Sequence, residues 1–158
     1  MTATMLLEAS TLHGPGWAGM QPTMTYDVGV DVDDVLYPWF DTAHAISERA
    51  GITNGVTPTR WRMYEDYGCD VETWAQALEA NTDEMYSSPP IPGAVEALRR
   101  IYFAGHRIHL ITARGTGAWQ SLSQKVSIRN RTVWWGEEFA GPHNTLTFDS
   151  DKASVARE

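Results

Sequence analysis

Three short β-rich runs set most of what this chain can become. Residues 26–32 (Tyr-Asp-Val-Gly-Val-Asp-Val) place apolar groups at Tyr26, Val28, Val30 and Val32. Alternation of this kind with β-branched residues predicts a half-buried strand, and Asp33-Asp34 supplies the turn that ends it. Residues 107–112 (Arg-Ile-His-Leu-Ile-Thr) form a second run, closed by Ala113-Arg-Gly-Thr-Gly117, and residues 145–148 (Thr-Leu-Thr-Phe) form a third. Helical periodicity fills the intervals. This order of strands and helices predicts an α/β fold with right-handed crossovers, a parallel sheet of about three strands and helices over both faces.

The intervals differ in character. Residues 37–51 read as helix, the breakers at 53–58 interrupt it, and helical stretches resume over 60–67 and 71–86 around Gly68. Residues 37–90 are therefore expected to be a small helical cap inserted after the first strand, with 26–36 and 91–158 forming the α/β core. Pro92 suits the first turn of the next helix, where its missing N–H is not needed. Val95, Leu98, Ile101 and Tyr102 then share one face, and Gly105 can supply a left-handed stop. Another amphipathic helix is expected from about Trp119 to Phe139, broken near Ser127 to Asn130, with Trp119, Trp134 and Trp135 as packing residues. Residues 151–158 begin a last helix. Residues 1–25, rich in Thr, Gly, Pro and Met, read as a flexible tail.

A length of 158 residues fits one domain, and 42% hydrophobic with 20% charged residues is a globular composition. No apolar run approaches the roughly 18 residues of a membrane span. The single Cys69 excludes an internal disulfide and a Cys-based zinc site. With no secretory signal recognised, a cytoplasmic location is expected. The net charge of −8 argues against general nucleic-acid binding. Charge is nevertheless segregated, with 15 acidic and 3 basic residues in 1–98, then 7 basic and no acidic residues in 99–131. The basic block is either a solvated helix face or a field that concentrates a small anion.

Ligands of open parallel sheets bind beyond the carboxyl ends of the strands. There the sequence places Asp31, Asp33 and Asp34 after the first strand, Thr112, Ala113 and Arg114 at the end of the second, and Asp149, Asp151 and Lys152 after the third. Carboxylates suit magnesium, a hard cation that retains waters in phosphate chemistry. One carboxylate can attack phosphorus while a neighbour protonates the leaving oxygen and then activates water. Thr and Lys can hold phosphoryl oxygens as charge redistributes.

On these residues the chain resembles the haloacid dehalogenase-like (HAD) phosphohydrolase superfamily. Asp31-Val-Asp33-Asp-Val-Leu36 is similar to its first motif, and Ile108-His-Leu-Ile-Thr112-Ala-Arg114 to its second. Lys152 falls where a third-motif lysine is expected. The cap, the Thr-Ala-Arg ending and the short length look most like 5′-nucleotidase/deoxyribonucleotidase-type members, including phage-like forms. The resemblance implies a Rossmann-like core and a magnesium-dependent phosphatase for nucleoside 5′-monophosphates or deoxynucleotides. It makes Asp31 the nucleophile and a metal ligand, and Asp33 the general acid/base and a second ligand through its backbone carbonyl. Thr112, Ala113, Arg114 and Lys152 become the phosphate-binding set, with a structural ion pair as the other role open to Arg114.

Superfamily members add a later strand ending in paired acidic residues. The sequence reaches Glu158 without one, so it is expected to be C-terminally truncated, with its first strand as an exposed edge open to self-association. A non-catalytic phosphate- or partner-binding protein and a phosphatase for nucleic-acid ends therefore stay open as alternatives. Tyr37, Trp39 and Phe40 could stack on a nucleobase or pack cap against core. Arg60 could read a substrate or sit on a solvated helix start. Cys69 lacks an adjacent base and is no nucleophile.

Overall fold

The structure, a computed structural model, describes residues 24–117 and 120–152. Three parallel strands, β1 (Asp27–Asp31), β2 (Arg107–Thr112) and β3 (Thr145–Phe148), lie in the order β1-β2-β3. The register sets Val30 beside Leu110 and Leu110 beside Leu146. Because side chains alternate across a strand, these residues share one face. On that face pack Leu98 and Ile101 of α5 (Ala94–Phe103), Trp135 of α6 (Leu122–Trp135), and Phe139 and Ala140 of the π-helical turn Gly136–Ala140. Trp135 anchors this core, fully enclosed, with its Nε1 donating to the Ser88 carbonyl at 2.9 Å.

The expected helices on both faces are not found among the described residues. Every helix that packs on the sheet through the apolar core lies on one side. The other side carries a polar row in which Asp27 binds Arg107 Nη2 at 2.7 Å and His109 Nε2 at 2.8 Å, and His109 Nδ1 meets Thr145 Oγ1 at 2.9 Å. Most alternate strand positions on that side are polar, and the apolar exception, Ile111, is buried over Gly29. β1 pairs only with β2 among the described residues, so it stands at an edge.

The inserted segment builds its own cluster from Ala43 and Ile46 of α1 (Trp39–Arg49), Met63 and Tyr67 of α2 (Met63–Tyr67), Trp74 of α3 (Val71–Ala80) and Met85 of α4 (Thr82–Met85). Trp39 contacts both this cluster and the sheet core, and so joins the two.

Several local expectations are corrected. α2 starts at Met63 and not at Arg60, because the Asp66 carboxylate folds the preceding loop back by accepting from Thr59 N at 2.8 Å and Arg60 N at 3.2 Å. The stretch 71–86 breaks at Asn81, whose side chain donates to the Ala77 carbonyl at 2.8 Å and competes with the helix ladder. Pro92 lies in a turn, and α5 begins at Ala94 after Gly93 takes a left-handed φ of 86°. Tyr102 is exposed, and Ala94 joins Leu98 and Ile101 on the buried side. α6 runs unbroken through residues 127–130 behind a Ser121/Gln124 capping box, and the irregularity falls later, in the π turn. Trp134 is half exposed and rests on Phe139, with ring centroids 5.6 Å apart. The expected tail up to residue 23, Trp119 and the last helix beyond Lys152 lie outside the described residues. Among the described residues no helix is long and apolar enough to cross a membrane.

Candidate functional site

β1 delivers Asp31 at its carboxyl end, and the chain then turns tightly. The Val32 carbonyl accepts from Leu36 N and Tyr37 N at 3.0 and 2.9 Å, and Asp34 adopts a left-handed φ of 55°. Asp34 is thereby a structural turn residue, with its Oδ1 accepting from Phe40 N at 2.9 Å in the first turn of α1. The turn leaves Asp33 directed toward the end of β2.

β2 ends on Thr112, which is fully enclosed and whose Oγ1 accepts from Arg114 N at 3.2 Å. This bond turns the chain after β2. The carbonyl of Thr112 also accepts from Asp149 N at 2.9 Å, and Asp149 Oδ1 accepts from Asp151 N at 2.7 Å. These contacts fold the segment after β3 so that Lys152 Nζ reaches Asp31 Oδ2 at 2.5 Å across 121 residues of sequence. Asp31, Asp33, Thr112, Ala113, Arg114 and Lys152 are thus gathered at the carboxyl ends of the three strands.

The two carboxylates are held differently. Asp31 has one oxygen on Lys152, while Oδ1 is buried without a hydrogen-bond partner among the described residues. Asp33 Oδ1 accepts from Arg114 Nε at 2.7 Å. Arg114 Nη2 lies 2.6 Å from the same oxygen but off the axis of a hydrogen bond, and neither Nη1 nor Nη2 makes a hydrogen bond among the described residues. The Arg114 side chain is 2% exposed, with its Cζ 4.2 Å from the Tyr37 ring centroid and 5.1 Å from that of Tyr86. Burial pushes Asp33 above the ordinary carboxylate range even against the Arg114 charge, and the Asp31 charge adds to the rise. Burial also pushes the Tyr86 phenol up to about 12, so it stays protonated.

Magnesium is commonly held by one or two carboxylates, with water and phosphate oxygens completing its shell. Asp31 Oδ1, a buried carboxylate oxygen with no partner, fits one such position. The Asp33 side chain is committed to Arg114. Among the described residues no group of three or more His, Cys, Asp or Glu side chains is arranged to hold a metal.

The weaker candidates separate. Phe40 lines an open groove of about 510 Å³ together with Asp34, Pro38, Asp41 and the prolines at 89, 90 and 92, beside the turn that follows β1. Trp39 stacks on Trp61 with centroids 4.9 Å apart. Arg60 is committed to Asp66 and Glu65 within the insertion. Burial and the neighbouring Asp70 hold the Cys69 thiol above its usual range, in keeping with an unreactive sulfur.

Tyr37, expected with Trp39 and Phe40 to stack on a base or pack cap against core, faces Arg114, and Tyr86, which has no sequence signal, flanks it as well. Tyr37 reaches the insertion by donating its hydroxyl to the Met85 carbonyl at 2.6 Å. Neither belongs to a motif, and the 48 residues between them hide their pairing. Comparison with family models, with curated proteins and with solved structures returns no match for this chain.

Proposed function

We propose that the protein is a magnesium-dependent phosphohydrolase of the HAD type that cleaves small phosphomonoesters, nucleoside 5′-monophosphates or deoxynucleotides foremost, through an aspartyl-phosphate on Asp31. The observation that carries this reading is the state of Asp31, with one oxygen on Lys152 and the other buried without a partner. A carboxylate left so is organised for a ligand, since burying an unsatisfied charged oxygen is otherwise costly.

In this reading an Asp31 oxygen attacks phosphorus and the bond from phosphorus to the ester oxygen breaks. The departing oxygen takes its proton from Asp33, whose raised pKa favours the acid form needed for the step. Asp33, now a carboxylate, then removes a proton from water as that water attacks the phosphorus. Phosphate leaves and the Asp31 carboxylate is restored. Lys152 orients Asp31 and offsets the negative charge that gathers on the phosphoryl oxygens, and Thr112 fixes the loop that carries Arg114. Magnesium, when bound, supplies charge that reduces repulsion between the substrate phosphate and the carboxylates.

The test is phosphate release from a nucleotide panel with magnesium or with EDTA. Turnover that requires magnesium and falls at least about 10³-fold in Asp31→Asn is expected. Absence of turnover by the wild type on every substrate, or turnover that survives Asp31→Asn, overturns the reading. An inactive wild type that still binds inorganic phosphate points to the non-catalytic alternative.

A further inference from the structure

We propose that Tyr86 is a positioning residue that holds Arg114 on Asp33, so that the end of the inserted segment sets the geometry of the proposed acid/base. The role in turnover rests on the phosphohydrolase reading; the structural link does not. A guanidinium offers five donors in a rigid fork. Arg114 places Nε on Asp33 Oδ1 as a hydrogen bond and Nη2 2.6 Å from the same oxygen as an ion contact, while neither Nη makes a hydrogen bond among the described residues although the side chain is 2% exposed. Both contacts converge on one oxygen, about which a planar group can still pivot. What remains to locate it are two aromatic faces, Tyr37 at 4.2 Å and Tyr86 at 5.1 Å.

The two rings differ in what fixes them. Tyr37 belongs to the sheet core, fully enclosed, with its edge on Trp135 at 5.4 Å. Tyr86 is partly exposed and follows Met85, whose carbonyl accepts from the Tyr37 hydroxyl at 2.6 Å. That bond delivers the end of α4 to Arg114 and sets the Tyr86 ring there. The Tyr86 hydroxyl makes no hydrogen bond among the described residues, so the ring is the part that acts. With Arg114 on Oδ1, Asp33 keeps Oδ2 for a leaving oxygen. Without the Tyr86 face the guanidinium is free to turn away from Asp33.

The experiment uses the full chain and three variants, Tyr86→Leu, Tyr86→Phe and Tyr86→Met. Two readouts are compared: the side-chain ¹⁵N–¹H signal of Arg114 Nε, identified by its loss in Arg114→Lys, and magnesium-dependent hydrolysis of p-nitrophenyl phosphate. Tyr86→Leu is expected to shift the Nε signal and speed its exchange with water, and to lower kcat by up to about 100-fold, the scale of a misplacement near 1 Å, with KM within about threefold. Tyr86→Met fills similar space without an aromatic face and is expected to behave like Leu even if Leu lowers the Tm. Tyr86→Phe retains the ring and is expected to match wild type in both readouts. An unchanged Nε signal in Leu and Met overturns the proposal, as does a defect in Tyr86→Phe equal to that of Leu. A rise in KM at constant kcat also overturns it, by assigning Tyr86 to direct substrate contact. If no substrate is turned over by the wild type, the phosphohydrolase reading fails alone and the Nε signal still decides whether Tyr86 holds Arg114.

Discussion

Two Asp–Arg pairs in this chain have opposite electrostatics. Asp33 and Arg114 meet across 81 residues at the end of the sheet, with side chains 13% and 2% exposed, and Asp33 is pushed above the ordinary carboxylate range. Asp66 and Arg60 meet within one loop of the insertion, where Arg60 is 56% exposed, and Asp66 is drawn below that range, first by the Arg60 hydrogen bond and then by the backbone N–H of Thr59. The two carboxylates are similarly enclosed, 13% and 11% exposed, but Asp66 faces a half-exposed arginine and accepts from two backbone N–H groups, whereas Asp33 lies deeper, with one hydrogen bond and the Asp31 charge beside it. Water lost around Asp33 costs its charged form more than one arginine restores. A carboxyl able to hold a proton near its partner is suited to proton transfer, whereas the Asp66 pair ties down a loop.

The largest effect that sharpens this contrast is expected from Arg114→Met. Breaking a buried pair leaves an uncompensated charge and costs about 3–5 kcal/mol, to be read as a fall in urea-denaturation stability near neutral pH. The deficit has a defined pH dependence. Without Arg114 the folded-state pKa of Asp33 rises further, because burial is then opposed by the Lys152 charge alone. Between the unfolded pKa and that raised value the folded state binds more protons than the unfolded one, so stability falls as pH rises through the window. The Arg114→Met deficit should therefore shrink as the pH is lowered. A deficit independent of pH would show that Arg114 acts by filling space.

Lys152→Met should give a smaller change in stability with a large change in chemistry. Lys152 and Asp31 are each 34% exposed, so their pair lies near the solvent-screened limit and contributes about 0–1 kcal/mol. Phosphate release should nonetheless collapse, because Lys152 is the cation on the proposed nucleophile. A variant with both Tm and kcat close to wild type would remove Lys152 from the site.

These two pairs also mark how far the sequence could be read. β2 and β3 begin and end where their β-branched runs do, and Asp31, Thr112 and Lys152 come together because strand ends of a parallel sheet share one rim. An ion pair at Arg114 was one of two readings open in the sequence, but the same logic could not name Asp33 as its partner or reveal that Tyr86 flanks it, since neither contact follows a helical or strand period. The break at Asn81 and the left-handed Gly93 come from side-chain competition and turn geometry, which periodicity does not register. Helices on both faces were expected from the alternation of elements. The row Asp27, Arg107, His109 and Thr145 shows that alternate strand positions had to be read as a face across all three strands.

The smallest effect is expected at the exposed pair, and it tests whether Arg60 is local or belongs to the site. In Arg60→Ala the Asp66 carboxylate retains the backbone donors Thr59 N at 2.8 Å and Arg60 N at 3.2 Å, so the loop keeps its shape and the Tm should stay within error of wild type. The lowered pKa of Asp66 contributes stability that is present above its unfolded pKa and lost as pH falls through its folded value. Removing the first cause of that lowering should move the acid limb of the stability profile slightly toward higher pH. The sign is the same as for Arg114→Met, because each substitution raises a folded-state carboxyl pKa and each deficit shrinks on acidification, so the two pairs differ in the size of the effect. The KM for nucleotides should be unchanged, because the guanidinium is already committed to Asp66 and Glu65. An increase in KM at constant kcat with no shift of the acid limb would instead assign Arg60 to the substrate and end its role as the structural counterpart of Arg114.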